Sequence, residues 1–260
     1  MGKVVTILNE KGGVGKTSLT FFAAQAIAQS GKRVLMIDMD GQKSNLTFLS
    51  GARDELDDGG VEVKTMRDVL LNKKDPASCI LQSEEGKADL IPADEKMADP
   101  MPSAKISAMK KAIGVLKQTY DVIFLDVSPS PDWKHALVLS CADEVYIAML
   151  SDIMSVKANE GIAESIEEIQ SVMNSDLKVK GVVLNQYDGR TILGRKAFDA
   201  AMSFLQEHTD IMDDDPALVT VRKAVSVGRT AGEHKTIFET DPNAGVAKDV
   251  ETFVKLIMEV

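Results

Sequence analysis

The segment KGGVGKT at residues 11–17 constrains this chain most, because it follows directly on an apolar, β-branched run at Lys3–Asn9. Glycines at these spacings let backbone N–H groups turn inward around a phosphate, and a helix that starts at Lys16 adds the positive end of its dipole. Lys16 can reach the terminal phosphates, and the Thr17 hydroxyl can ligate Mg²⁺. We therefore predict a phosphate-binding loop formed by Lys11, Gly12, Gly13, Val14, Gly15, Lys16, Thr17 and Ser18.

The loop departs from the common pattern G-x-x-x-x-G-K-[ST] at its first position. Glu10 stands where that pattern has glycine, and Lys11 follows it. A second ammonium group close to Lys16 is repelled unless a strongly anionic ligand lies between the two. Lys11 is therefore predicted to make a second contact to the phosphates.

Apolar runs of strand length alternate with segments of helical spacing along the chain. This alternation predicts a mostly parallel, twisted sheet with helices on both faces. With 260 residues, 44% of them hydrophobic, we expect one α/β domain over residues 1–260, and a mobile excursion at residues 51–64, which are rich in Gly and Asp. The predicted strands are Lys3–Asn9, Arg33–Asp38, Asp121–Val127, Glu144–Leu150 and Lys180–Asn185, and the predicted helices are Lys16–Ser30, Ser103–Gln118, Asp132–Ser140, Val156–Met173, Leu193–His208 and Ala244–Glu259.

Carboxylates follow two of these strands where the strands end. Asp38 and Asp40 close the second strand, and Asp126 closes the run Val122–Leu125. Ligands bind at the carboxyl ends of parallel strands, and an aspartate there is the usual partner of Mg²⁺ and its water. The alternatives are a solvated acidic turn for the first two residues and an ordinary buried strand end for Asp126.

The segment KGGVGKT after a first strand resembles the deviant Walker A box of the ParA/Soj, MinD and nitrogenase iron protein class of ATPases, and the resemblance covers nearly the whole chain. It implies a P-loop fold, ATP and Mg²⁺ as cofactors, and an ATP-sandwich homodimer in which Lys11 reaches the nucleotide of the other subunit. Residues 38–42, DMDGQ, resemble the family's first switch, D-x-D-P-Q, and residues 126–130, DVSPS, resemble the second, D-x-P-P-S. Gly41 and Ser128 depart from these patterns, and Gly41 is expected to loosen its loop.

The resemblance implies roles for the candidate residues. Asp40 would position the attacking water, and Mg²⁺ would lie near Thr17, Asp40 and Asp126. The predicted catalytic residues are Lys11, Lys16, Asp40 and Asp126. Residues 181–191, GVVLNQYDGRT, resemble a strand and turn of partition ATPases, which implies that Asn185 contacts adenine; an ordinary asparagine at a strand-to-turn junction is the alternative. Residues 221–225, VRKAV, resemble the "IPRNV" strand of the same proteins.

Charge is distributed unevenly along the chain. The formal net charge of −10 argues against a general nucleic-acid binder. Residues 178–204 nevertheless hold five bases against two acids, and residues 216–238 hold four against one. The predicted DNA-binding residues are Arg190, Arg195, Lys196, Arg222 and Lys223, and a solvated surface of mixed charge is the alternative.

The resemblance implies a ParA-like DNA-partitioning ATPase that is cytoplasmic and nucleoid-associated. Its ATP dimer would bind DNA non-specifically, and slow hydrolysis, stimulated by a ParB-like centromere-binding partner, would release it and segregate plasmid or chromosome cargo. A MinD-like membrane-associated positioning ATPase is the first alternative, but residues 248–260 carry two lysines against three acids, so no membrane partner is expected. A nucleotide-clamped scaffold with negligible turnover is the second.

Overall fold

The computed structural model describes residues 2–41, 45–52, 63–99, 106–130, 132–151 and 159–259. Within these ranges the chain forms a seven-stranded sheet in the order β3-β2-β4-β1-β5-β6-β7, and each strand is parallel to the strands beside it. The strands are β1 Lys3–Leu8, β2 Val34–Asp38, β3 Asp89–Ile91, β4 Val122–Asp126, β5 Glu144–Leu150, β6 Lys178–Tyr187 and β7 Met212–Arg222.

Helices cover both faces of this sheet. They are α1 Lys16–Gln29, α2 Asn45–Leu49, α3 Met66–Asn72, α4 Ile106–Leu116, α5 Trp133–Cys141, α6 Glu160–Val172, α7 Ile192–Glu207, α8 Val225–Glu233, α9 Ile237–Thr240 and α10 Gly245–Met258. Alternate residues of a strand point to opposite faces, so Val4 and Val5 belong to two separate buried clusters. The first cluster includes side chains of α4 to α7, and the second includes those of α1 and α10. No helix in the described ranges has the length and apolar character needed to span a bilayer.

The predicted α/β class, with its parallel sheet and helices on both faces, is confirmed. Each of the five predicted strands is present, and the described parts of the six predicted helices agree with α1, α4, α5, α6, α7 and α10. Residues 103–105 and 156–158 of two predicted helices, and most of the predicted excursion at 51–64, lie outside the described residues. That one domain spans residues 1–260 stays a prediction.

Two strands and four helices are missing from the predicted elements, namely β3, β7, α2, α3, α8 and α9. Only the end of β7 was compared with a strand, through the resemblance of residues 221–225 to partition ATPases. The three-residue strand β3 is too short to show a period. Strand β7 contains Asp213, Asp214, Asp215 and Pro216, which are unusual in strands but tolerated here because β7 lies at the sheet edge. Helix α3 is set by a capping box, in which the Thr65 hydroxyl and the Asp68 carboxylate each accept a backbone N–H.

Strand β1 lies at the centre of the sheet, and its position fixes where a ligand can bind. The chain places β2, β3 and β4 on one side of β1 and β5, β6 and β7 on the other. The carboxyl end of β1 is therefore next to the point where the strand order reverses, and such points form crevices in open parallel sheets.

Candidate nucleotide-binding site

The loop between β1 and α1 has the backbone that a phosphate cradle needs. Gly13 and Gly15 adopt φ angles of 78° and 95°, which residues with side chains rarely adopt. Gly15 is the N-cap of α1 and has no side chain to cap it, so the N–H groups of the first helical turn face the loop. The strand, loop and helix therefore follow one another as the sequence predicts.

Asn9 supports this loop, although it was not among the sequence candidates. Its Oδ1 accepts a hydrogen bond of 2.6 Å from the backbone N–H of Lys11, and its Nδ2 donates one of 2.7 Å to Oδ1 of Asn159. Both asparagines are buried, with 1% of each exposed. A polar residue at the end of an apolar strand is the only sequence signal, because its partner lies 150 positions away.

Lys16 and Asp126 are buried side chains of opposite charge in this region, with 5% and 0% of their surface exposed. Burial lowers the pKa of Lys16, and the nearby carboxylates of Asp126 and Asp40 offset part of that shift. Burial also raises the pKa of Asp126 to about 8, and the charge of Asp38 adds to the shift, while Thr17 and Lys16 oppose it. Neither oxygen of Asp126 has a hydrogen-bond partner within the described part of the chain.

Asp38 and Asp40 have different surroundings although they are two residues apart. Asp38 is fully buried, and its carboxylate accepts hydrogen bonds of 2.9 Å from the N–H of Asp40 and 2.9 and 2.7 Å from the N–H and hydroxyl of Thr47. Burial raises the pKa of Asp38 to about 6 against the effect of these bonds. Asp38 therefore ties α2 to the end of β2, whereas Asp40 lines a cavity beside Lys16 and Thr17.

The two departures from the switch patterns have distinct settings. Gly41 is packed against the segment Glu95–Ala98, and a Cβ at this position would lie 2.2 Å from the N of Ala98. Close packing therefore accounts for a small residue here; Gln42 lies outside the described residues. Ser128 is 1% exposed, and its hydroxyl has no hydrogen-bond partner in the described ranges, while its carbonyl accepts from the His135 ring at 2.8 Å.

A cavity of about 690 Å³ opens at this edge of the sheet. The phosphate loop forms one end of it, and Leu19 and Phe22 of α1 line its side. Its lining also includes residues 221–224, Val227 and Gly228, together with Val246 and Val250 of α10. Asn185 also lines the cavity, and its Nδ2 donates a 2.8 Å hydrogen bond to the carbonyl of Val14. Its amide thus joins β6 to the phosphate loop; that it contacts adenine stays a prediction.

Comparisons with known proteins assign the family. Residues 2–179 match the AAA domain family. The sporulation initiation inhibitor protein Soj of Bacillus subtilis is 27% identical over 100% of this chain and 98% of its own. The chromosome partitioning protein ParA of Caulobacter vibrioides is 27% identical over 87% of this chain and 85% of its own. The chain belongs to this family, as a P-loop ATPase of the ParA/MinD type.

A solved structure extends the likeness to three dimensions. Cobyrinic acid a,c-diamide synthase from Mycobacterium smegmatis, with bound ADP and magnesium, superimposes with a TM-score of 0.71 at 28% identity over 89% of this chain and 91% of its own. The predicted family and fold class are thus confirmed for this ParA/MinD-type ATPase.

The residues of the ATPase fit a nucleotide with its magnesium ion. Among the described residues, no three acidic, histidine or cysteine side chains converge on a metal site. The two unpartnered oxygens of Asp126 lie buried beside Thr17 and Lys16, where a hydrated cation would satisfy them. The exposed Lys11, Gly12 and Gly13 form the outer end of the loop.

Four predicted DNA-binding residues of the ATPase are exposed and lie just beyond the ends of β6 and β7. We call Arg190, Arg195, Lys196 and Lys223 the basic surface. Arg190 pairs with Asp188 at 2.9 Å with 91% of its side chain exposed, and Arg195 donates to the carbonyls of Gly189 and Arg190. Arg222 is also exposed and, like Lys223, lines the nucleotide cavity, but it differs from these four in being held at 2.7 Å by a carboxylate of another element, Asp249.

Proposed function

We propose that this ATPase is a ParA-like positioning enzyme whose ATP-bound dimer binds DNA without sequence preference and releases it after slow hydrolysis. The observation that supports the proposal most is that the ends of β6 and β7 contribute residues both to the nucleotide cavity and to the basic surface. Asn185 at the end of β6 and Val221 at the end of β7 line the nucleotide cavity, and the basic surface begins a few residues beyond each of them. The short segments that follow β6 and β7 would therefore contact both the nucleotide and the DNA.

ATP and Mg²⁺ are the cofactors that the site residues fit. Lys16 and the N–H groups that follow Gly15 bind the phosphates, with Thr17 and Asp126 placed to hold the hydrated ion. When bound, Mg²⁺ would supply positive charge that offsets the negative charge developing on the phosphate oxygens. Asp40, buried at the cavity wall, orients the attacking water through its carboxylate.

Lys11 is proposed as the contact between two subunits. It lies at the exposed outer end of the loop, whereas Lys16 lies buried inside it. An exposed ammonium on this side can reach the triphosphate of a second copy. Because bringing positive loops together costs free energy, the triphosphate offsets that cost better than the diphosphate.

The basic surface is proposed to bind DNA phosphates. The Arg190–Asp188 pair is solvent-exposed, and water and salt weaken exposed pairs of this kind, so a DNA phosphate can replace the carboxylate at low cost. A dimer doubles the surface, which lets a protein with net charge −10 hold a polyanion locally.

A ParB-like centromere-binding partner is proposed to stimulate hydrolysis. The protein would act in the cytoplasm, associated with the nucleoid, and its cargo would be a plasmid or a chromosome. The arrangement of α10 supports this over a membrane role. Its apolar residues Val246, Val250, Phe253 and Ile257 are buried against the sheet and α1, so they do not form an exposed lipid-binding face.

The dimer switch is tested by light scattering with ATP and with ADP. We expect Asp40→Ala to accumulate as a dimer with ATP, because it binds the nucleotide but cleaves it slowly, and Lys11→Ala to stay monomeric. Lys87→Ala is the control. Lys87 is an exposed lysine just before β3, so it lies at the amino ends of the strands, whereas Lys11 lies at their carboxyl ends. A Lys11→Ala protein that dimerises with ATP like the control would remove the cross-subunit role.

A further inference from the structure

Two arginine–aspartate pairs lie at the ends of neighbouring strands and have the same geometry. Arg190 donates from Nε and Nη2 to the Asp188 carboxylate at 2.9 and 2.9 Å. Arg222 donates from Nε and Nη2 to the Asp249 carboxylate at 2.7 and 2.9 Å. The side chain of Asp188 is 36% exposed and that of Asp249 is 15% exposed. The second pair is therefore the more desolvated, and bidentate pairs are stronger away from water.

Asp249 holds the backbone as well as the side chain of Arg222. The N–H of Arg222 donates to Asp249 Oδ2 at 2.9 Å, which makes a third hydrogen bond between these two residues. Asp249 lies on α10, whereas Arg222 is the last residue of β7. One carboxylate thus fastens the end of a strand to a helix 27 positions along the chain.

The two elements joined in this way both line the nucleotide cavity. Lys223 and Ala224 continue from Arg222 and line it, and Val246 and Val250 flank Asp249 on α10 and line it as well. The phosphates are assigned to the loop of residues 11–17, which lines the same cavity. Around Arg222 and Lys223 the lining is apolar, with side chains that suit a flat heteroaromatic base: Val221, Ala224, Val227, Val246 and Val250.

Gly245 supplies the space that Arg222 occupies. A Cβ at this position would lie 2.4 Å from Nη1 and 2.7 Å from Cζ of the Arg222 guanidinium. Any other residue at the start of α10 would push the guanidinium from its present position, although it would leave both charges of the pair unchanged. The fit of Gly245 to Arg222 is thus a second observation that ties this arginine to the cavity wall.

We propose that Arg222, Asp249 and Gly245 position the base-binding end of the nucleotide cavity, so that Arg222 sets nucleotide affinity and is not a phosphate contact to DNA. The proposal rests on the proposed function in one respect, namely that the cavity binds ATP. The pair holds the segment of residues 222–224 at a fixed distance from α10. The Arg222 side chain is 57% exposed, so loss of either partner acts by releasing that segment from α10 and letting it move.

The test compares ATP with inorganic tripolyphosphate, a probe that has the phosphates but lacks the base. Titration calorimetry with Mg²⁺ measures Kd of both ligands for Asp249→Asn and Gly245→Ala, with Asp188→Asn as the matched control in the exposed pair. We expect ATP to bind about tenfold more weakly or worse in both variants, and tripolyphosphate to bind within about twofold of the parent. The control should bind both ligands as the parent does, and Arg222→Lys should restore part of the ATP affinity that Arg222→Ala loses.

Three outcomes would overturn the proposal. Unchanged ATP binding in both variants would show that the pair does not act on the nucleotide. Equal weakening of ATP and tripolyphosphate would place the effect at the phosphate end or in the general fold. Arg222→Ala with parental ATP affinity but a flatter salt dependence of DNA binding would make Arg222 a DNA contact. A parent protein that binds neither ligand would instead refute the proposed function.

Discussion

The phosphate-binding region and the basic surface use charge in opposite ways. In the first region Lys16 and Asp126 are 5% and 0% exposed. Burial lowers the pKa of Lys16 and raises the pKa of Asp126, so it favours the neutral form of each. On the basic surface the side chains of Arg190 and its partner Asp188 are 91% and 36% exposed. Buried charges are costly until a ligand pairs with them, whereas exposed charges act additively and are screened by salt. Substitutions should therefore have large effects in the first region and small, graded ones on the second.

The largest effect is expected at Lys16. Ligand at about 100-fold above its Kd stabilises a folded protein by about 2.7 kcal/mol, and Lys16→Ala should lose that gain with ATP. Thermal unfolding with and without Mg²⁺ and ATP measures it. Equal shifts in the variant and the parent would show that residues 11–17 do not bind the phosphates.

A second effect concerns pH in the ligand-free protein. The pKa of Asp126 is about 8 in the folded state against about 3.9 when unfolded, so between these values the folded state binds more protons than the unfolded state. The free energy of unfolding should therefore fall as pH rises from about 4 to about 8, and Asp38, with a pKa of about 6, adds to the same trend.

Asp126→Asn isolates this contribution, because an amide does not titrate. The variant should show a flatter pH profile and, at pH 8, a gain on the order of 1–3 kcal/mol over the parent. Urea unfolding at several pH values provides the measurement. Parallel profiles for the two proteins would mean that Asp126 is solvated or paired in the ligand-free state.

The smallest effect is expected on the basic surface. Each phosphate contact contributes about −0.9 to the slope of log K against log salt, so Arg190→Ala should flatten the slope of a dimer by about 2, one contact per subunit. ATP binding should not change. Fluorescence anisotropy of a labelled duplex over a salt series, with Lys87→Ala as the exposed control, measures this. An identical slope for Arg190→Ala and the control would place the DNA contacts elsewhere.

Local features of this molecule could be predicted from the sequence, and long-range pairings could not. The phosphate loop depends on glycines that adopt positive φ within a few residues of each other, so its sequence contains most of its geometry. The carboxylates at the ends of β2 and β4 follow from strand length and position. Arg222, in contrast, has no acidic neighbour close in the sequence, and only the fold brings Asp249, 27 positions away, next to it. The support that Asn159 gives to Asn9 is hidden for the same reason.

The most direct test of the central claim is DNA retention by the Asp40→Ala protein at low salt, measured with ATP and with ADP beside a vesicle-pelleting assay. We expect the protein to retain duplex DNA of unrelated sequences with ATP, to release it with ADP, and to stay in the supernatant with vesicles of anionic lipid. An ATP-bound dimer that shows no affinity for DNA yet pellets with those vesicles would refute DNA binding and favour a membrane-associated positioning ATPase.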